Sequence, residues 1–451
     1  MKIIIAGDGK IGFSLTKQLA AEGHDLTVID INPKVLDTVQ NNFDIMVVCG
    51  NCATMDTLQA ANIEQADLLI AVSDKDEINL LCCMTAHSIN PNLHSIARVR
   101  DPEYTNQAYL MCDLMGLSMV VNPERSAAQE ISRLLKYPGF LKRDTFVGGR
   151  VEIVELKVSA KSPMNGVKIM KLSGVIGCKV LICAIARAGK CIIPSGMDSL
   201  MEGDRVFLTA PSNVLQTLLK NLGVVTKKVR SCLIIGGGRI SYYLARNLVS
   251  AGIRVKIIEQ NHDKCVSLAS LLSGVTVVEG DASTQSMLSS EGMELFDSVV
   301  SLTGLDELNA MLAMYCSGSV NNIVTKIDRI ESTGVLDVLP LGSVIHPKEL
   351  ASNEIVRYVR AMQNQSGAAV TVHSIADSMA EASEFAVTAA TRNLGVPLKD
   401  IRLKDHVLVA CIAHGPTVEI PDGDSVISEG DTVIVVTDGS RVIGQLNDIF
   451  E

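Results

Sequence analysis

The chain has 451 residues, 47% apolar and 20% charged, with a net charge of −10 and aromatics at only 3%. A prior of roughly 100–200 residues per domain implies about three or four domains, each able to bury a core. The acidic balance and the missing Trp argue against nucleic acid, whose phosphates need basic patches and whose single strands stack on aromatic rings.

The Ile-rich opening run at 2–6 reads as a buried parallel strand and is too short for a secretory leader. No run of about 18 apolar residues follows, so no direct bilayer insertion is expected and any membrane role passes through a partner. The run leads into Gly7-Asp8-Gly9-Lys10-Ile11-Gly12 and then an amphipathic helix closed by Gly23. A strand at 26–29 ends on Asp30, and further strand signals at 45–48, 68–72, 95–99 and 119–121 alternate with helical stretches. That alternation predicts about six parallel strands with crossover helices, a doubly wound α/β sheet.

The first turn carries the chemistry. Gly7 permits the tight turn, Gly9 lets a pyrophosphate approach the backbone, and Gly12 lets helix and strand pack closely. The helix N-terminus offers unpaired N–H groups and partial positive charge to phosphates. Asp30, 18 residues beyond Gly12, is placed to accept hydrogen bonds from an adenosine ribose and to repel a 2′-phosphate, which favours NAD over NADP. The alternative is a tight strand–helix turn with no ligand. Ser73 and Asp74 follow the fourth strand, where a ligand at the sheet edge would touch them, and Arg98 ends the fifth with a charge suited to phosphate. Asp76-Glu77 resembles a carboxylate pair, but adjacent acids opening a helix more simply complement its dipole. Cys49-Gly50-Asn51-Cys52 is formally a C-x-x-C without a second pair. Packing thiols are the simpler reading than redox or metal chemistry, and twelve Cys without an export signal suggest reduced, cytosolic thiols.

From 151 the pattern changes to strands at 151–158, 180–186 and 206–209, with short helices near 167–172 and 213–222. Then the chain repeats itself. Gly7 reappears as Gly236 and Asp30 as Glu259, both at an offset of 229 residues. The stretch Val72–Asn79 matches Leu302–Asn309, Asn122-Pro123-Glu124 matches His346-Pro347-Lys348, and Glu202-Gly203-Asp204 matches Glu429-Gly430-Asp431. Four units are expected: 1–138, 139–226, 227–365 and 366–451. The period is far too long for a solenoid. The second glycine loop, Gly236-Gly237-Gly238-Arg239-Ile240, ends on Ser241 where the first has Gly12, which is expected to loosen helix–strand packing. Glu259 is one methylene longer than Asp30, and Lys326 stands near the place of Arg98.

Strand-GxGxxG-helix-acid, then V-x-x-x-D-E-x-N, then A-R-V-R and N-P-E, followed by a small β-rich unit ending in EGD-x-V, resembles an RCK unit, and two in one chain resemble the tandem RCK regulatory subunits of potassium uptake systems. The resemblance covers essentially the whole chain. It implies two Rossmann-like RCK N-terminal domains, each followed by a small α+β RCK C-terminal domain. It implies a non-catalytic, cytoplasmic homo-oligomer, dimer or tetramer, that gates a membrane potassium-translocating subunit of Trk type. It implies a first nucleotide site at Gly7 to Gly12, Asp30, Asn51, Ser73, Asp74 and Arg98, and a second at Gly236 to Ile240, Glu259, Asp281 and Lys326. Asp281 matches the family's acidic or polar residue near the adenosine, and Asn51 departs from it. NAD(H) is expected at the first site and ATP or ADP at either, with no metal. The helices at 123–136 and 347–361 resemble intersubunit crossovers, though each also reads as the last helix of its sheet. Rival readings are a sensor for another membrane protein and an NAD-dependent oxidoreductase. The latter needs a proton donor and a substrate domain, and neither stands out.

Overall fold

The computed structural model describes residues 1–112, 114–136, 143–147, 150–222, 229–328, 339–362, 369–376, 379–439 and 443–451. The three expected unit boundaries lie outside the described residues.

The opening Ile-rich run forms the central strand of a six-stranded sheet because it is apolar on both faces and is covered on both. Its strands are Lys2–Ala6, Asp25–Asp30, Met46–Cys49, Leu68–Ala71, His94–Arg98 and Met119–Val121, in spatial order 3-2-1-4-5-6. All neighbours are parallel. Strand order reverses between the first and fourth strands, which opens a crevice at their C-terminal ends. The second half repeats this with Ser231–Ile235, Arg254–Glu259, Val275–Glu279, Ser298–Ser301, Asn322–Lys326 and Ser343–Ile345 in the same parallel order.

The two sheets exchange their last helices. Pro123–Lys136 leaves the first sheet and buries Ala127, Ala128, Ile131, Leu134 and Leu135 in one core with Leu244, Leu248 and Ile257 of the second. In return Pro347–Met362 buries Ala351, Ile355, Val356 and Val359 against Leu15, Leu19 and Val28 of the first. Each buried Ile, Leu or Val stabilises the seam by about 1.5–3 kcal/mol relative to exposure. Polar contacts fix the geometry. Arg360 bonds Glu22 through Nη2 at 2.5 Å and Nε at 3.2 Å, with both side chains about nine-tenths buried. Ser126 donates to Glu354 at 3.0 Å, and Asn122 donates to the Tyr243 hydroxyl at 3.1 Å. The crossovers expected between subunits therefore operate inside one chain.

The small units are five-stranded antiparallel sheets. The first runs Lys190–Ile192, Leu181–Arg187, Arg205–Pro211, Val151–Lys157 and Arg143–Phe146 in spatial order. The second runs Ala369–Ile375, Ala380–Ala386, Thr432–Thr437, Val407–His414 and Thr417–Glu419. They share one core, with Phe146, Cys183 and Phe207 packed among Ile375, Cys411 and Val436. His373 lies edge-on to Phe146 at 4.6 Å and meets Asp144 at 3.2 Å, while the Val147 N–H donates to Glu384 at 3.0 Å. The second copy departs from the expected repeat. The first has helices at Ile169–Ile176 and Ser212–Asn221, where the second has short 3-10 turns at Leu398–Asp400 and Leu446–Ile449. A long-range pairing accompanies the change: Leu403 bridges Phe450, and the Lys404 N–H donates to the Ile449 carbonyl at 2.9 Å, which ties the two segments together.

Candidate nucleotide sites

The first glycine loop is shaped by contacts that leave room for nothing but hydrogen at two positions. Gly7 has φ +95°, and a Cβ there would lie 2.7 Å from the Ser73 backbone, so the first and fourth strand ends touch at the switch point. A Cβ on Gly12 would lie 2.1 Å from the Gly7 carbonyl oxygen. Gly9 differs: its φ is an ordinary −65°, and a Cβ would meet nothing within 4 Å. It faces open space at the start of the helix. Gly238 repeats this, with φ −80° and an equally open Cβ direction.

Asp30 locks the loop. Its Oδ2 accepts the Asp8 N–H and its Oδ1 the Asn32 N–H, both at 2.8 Å. Glu259 does the same for Gly237 at 2.6 Å and Asn261 at 2.8 Å, so the extra methylene changes nothing in the bonding scheme. Each carboxylate keeps lone pairs for a ribose diol. Asp8, expected among the ligand-binding residues, contributes backbone rather than carboxylate. Its side chain is buried and accepts the Thr16 hydroxyl at 2.9 Å, and burial, with Asp30 nearby, raises its pKa to about 6 against the pull of Thr16. Ser241 carries the Cβ that Gly12 lacks. Its buried hydroxyl donates to the Gly236 carbonyl at 2.5 Å, so the atom that a Cβ on Gly12 would strike is here hydrogen-bonded.

Asn51 and Asp281 take up the same local turn, accepting the N–H two residues on at 3.1 and 2.9 Å. For Asp281 that N–H holds the carboxyl below the usual range. Arg98 reaches back to the Ser73 carbonyl at 2.6 Å and to Asp74 at 3.2 Å, so the fifth strand braces the loop after the fourth. Lys326 pairs instead with Asp328 at 2.9 Å. Asp76 accepts the N–H groups of Arg100 and Asp101 at 2.9 and 2.8 Å, so it ties the next strand's loop in addition to opening its own helix. Asp306 repeats this with the Asp328 N–H.

Two residues matter more than the sequence suggested. Asn79, fully buried, accepts from Ser73 N–H and Oγ at 2.8 and 2.6 Å and donates to the Ser73 and Arg98 carbonyls at 3.1 and 2.9 Å. Asn309 makes the same four bonds to Thr303 and Lys326. The signal was present in the repeated D-E-x-N, where the acids drew attention and the Asn holds the two strand ends together.

A cavity of about 550 Å³ surrounds the second loop, lined by Gly236 to Ile240, Glu259, Asp281, Thr303 and Lys326. Glu124, from the first unit's exchanged helix, lines it too. Burial raises the Glu124 pKa, opposed by the facing guanidiniums of Arg100, Arg98 and Arg239. Lys348, its counterpart, faces Lys10 of the first loop. Burial holds the Lys348 amine below its ordinary value, with Lys10 and Lys326 adding to this against the pull of Asp328. Both glycine loops therefore open onto the seam between the units.

Residues 3–123 and 232–347 match the TrkA-N domain family, and residues 153–223 match the TrkA-C domain family. The Trk system potassium uptake protein TrkA homolog of Archaeoglobus fulgidus is 30% identical over 452 residues, spanning 100% of both chains. The chain belongs to the TrkA family. TrkA of Vibrio alginolyticus is 29% identical over 463 residues, covering 100% of this chain and 99% of that one. The fold also matches the GsuK RCK domain, with TM-score 0.61, 19% identity and 96% and 92% of the two chains covered. The GsuK channel bound to NAD matches at TM-score 0.59 and 20% identity, over 97% of this chain and 76% of that one. TrkA membership and the paired RCK architecture identify a regulatory component of potassium transport.

Proposed function

We propose that this TrkA-family chain senses nucleotides and gates a separate potassium-translocating membrane protein of Trk type, without catalysing a reaction. The observation that carries this reading is that both glycine loops open at the seam between two sheets whose last helices are exchanged. A ligand on either loop therefore touches both units, and its binding energy acts on the angle between them. That angle shifts only as far as the ligand's affinities for the two arrangements differ.

The open Cβ directions at Gly9 and Gly238 and the ribose-facing Asp30 and Glu259 fit an adenine nucleotide or dinucleotide. One solved GsuK structure is bound to NAD and another to ADP, which supports NAD(H), ATP and ADP as the candidate ligands here. The ribose end is built alike in both sites and does not sort them. No helix among the described residues is long and apolar enough to cross a membrane, in keeping with action from the cytoplasmic face through the partner. Leu81, Met84, Leu110 and Leu114 are exposed on the first unit, as are Met311 and Met314 on the second, which supports a homo-oligomer.

Calorimetric titration of the full chain with NAD, NADH, ATP and ADP, beside Asp30→Ala, tests the reading. Saturable binding, weakened about tenfold or more in the variant and with the nucleotide recovered unchanged, is expected. No binding of any of the four overturns it, and turnover would return the chain to the oxidoreductases.

A further inference from the structure

Two thiols of the first unit meet at positions where the second unit has no cysteine. Cys52 follows Asn51 in the loop after the third strand, and Cys82 lies on the helix Asp76–Ile89. Both are buried in one core with Leu58 and Ala86, and their thiols are hydrogen-bonded to each other. A second contact fixes the approach beside them. Thr85, one turn beyond Cys82, places its hydroxyl 3.3 Å from the Ala53 carbonyl. The second unit has Ala282 and Leu312 at the two matching positions, packed in a core of its own. The fold therefore does not require a thiol pair there.

The C-x-x-C motif is not the pair. Cys49 shares its strand face with Val47, and its thiol points toward the Ile31 carbonyl at 4.0 Å. Cys52 packs on the opposite face of the sheet, against Cys82. The pair also differs from the other buried thiols in its chemistry. The Cys82 thiol holds that of Cys52 below its ordinary value, against burial and the nearby Asp30. Burial pushes Cys83, Cys232 and Cys411 up to about 12, and it raises Cys183, which shares a core with Cys411. The thiolate is the reactive form, so those thiols stay inert where Cys52 reacts. Cys52 is 6% exposed, an opening that admits only a small oxidant.

We propose that Cys52 and Cys82 form a reversible disulfide driven by small hydroperoxides, which fastens the Asn51 loop of the first unit to the helix that carries Asn79. The Cys52 thiolate attacks the terminal oxygen of the hydroperoxide and the O–O bond breaks. Cys52 becomes a sulfenic acid, and the leaving oxygen takes the proton that Cys52 released. The Cys82 sulfur then displaces hydroxide from the Cys52 sulfur, and the hydroxide leaves as water with the Cys82 proton. Two thiols lose two electrons in all, and the hydroperoxide takes them up. A small thiol reverses the bridge by exchange. Reduced surroundings keep such a bridge transient, which is how disulfides serve inside cells. Asn79 stands one turn before Cys82 and holds Ser73 and the Arg98 carbonyl, so the bridge joins two parts of one frame. The chemistry is independent of any nucleotide, and the second unit, with Ala282 and Leu312, lacks it.

The test treats the reduced full chain with a slight excess of hydrogen peroxide. Two of the twelve thiols should disappear in a denatured thiol count, and peptide mass spectrometry should find Cys52 joined to Cys82. Dithiothreitol should restore both thiols. The bridge should form about tenfold or more faster than any other buried thiol is consumed. Amide exchange over residues 50–54 should slow about tenfold in the bridged chain. Cys49→Ser should leave the bridge intact. Cys52→Ala with Cys82→Leu, which copies the second unit's own pair, should abolish it while a thermal melt shows the fold retained. A bridge between Cys49 and Cys52, or a sulfinic acid on Cys52 with no bridge, overturns the proposal. So does another pair that bridges first, or exchange over 50–54 that the bridge leaves unaltered.

Discussion

Gly9 and Gly12 look interchangeable in a motif, yet the structure assigns them opposite burdens, and alanine at each separates the two. A Cβ at Gly12 would sit 2.1 Å from the Gly7 carbonyl oxygen, which forces helix and strand apart by about 1 Å. Overpacking of that kind costs about 1–3 kcal/mol. At about 2–4 °C per kcal/mol for a domain of this size, melting should fall by roughly 2–12 °C. At Gly9 the added methyl meets nothing. Alanine is a poorer N-cap than glycine by up to about 1 kcal/mol, and the stiffer unfolded chain returns about 0.4–1 kcal/mol, so stability should stay within about 1 kcal/mol of the parent. The methyl instead occupies the space a phosphate needs, and first-site affinity should drop about tenfold or more. Denaturant unfolding and calorimetric titration on the same samples give both readings. A folded Gly9→Ala that binds nucleotide like the parent would refute the assignment of the first loop as a phosphate cradle. Gly12→Ser should recover part of the loss at Gly12, because Ser241 shows how a hydroxyl turns the offending carbonyl into a partner.

Two further outcomes follow from the buried polar groups. Asn79→Ala strands the Ser73 N–H and two carbonyls in a buried setting and should cost about 2–4 kcal/mol; a loss below about 1 kcal/mol by denaturant unfolding would show that the strand ends do not depend on it. His414 is partly desolvated, which lowers its pKa, but bonds to Asp431 at 2.9 Å and Glu419 at 3.1 Å outweigh this and raise it. A raised pKa in the folded state contributes stability that is complete below the ordinary imidazole value of about 6.5 and is lost as pH rises through the folded value. The side chain is about a third exposed, so the contribution is about 0.5–1 kcal/mol. His414→Arg should flatten that dependence, since Arg187 meets Asp204 at 2.7 Å in the matching place of the first copy and does not titrate in this range. Unfolding free energies at pH 6 and pH 8 that stay parallel between parent and variant would refute it.

What was legible in the sequence is whatever a short stretch decides by itself. The glycine turn, the acid after the second strand and the six strands of the first sheet follow from local apolar runs and turn chemistry, and they stand within a residue or two of their expected places. The strands Arg143–Phe146 and Lys190–Ile192 escaped because each is short and held by its neighbour's ladder more than by its own pattern. The 3-10 turns of the last unit escaped because homology with the first copy implied helices, whereas the last unit carries a long-range pairing between Leu403 and Phe450.

The helix exchange marks where local reasoning ends. An apolar stripe such as Ala127, Ala128, Ile131, Leu134 and Leu135 states that a helix buries one face, and any sheet of matching shape satisfies it. Duplication supplies two such sheets of nearly equal shape, so the choice falls to contacts between halves that no single stretch encodes: Glu22 with Arg360, Asn122 with Tyr243, Ser126 with Glu354. The same exchange turns residues 123–124 and 347–348, which in sequence belong to one sheet, into neighbours of the other sheet's glycine loop. A residue aligned with its repeat partner thus serves the opposite site. That is why a motif comparison does not show that Glu124, from the first unit, stands in the wall of the second loop's cavity.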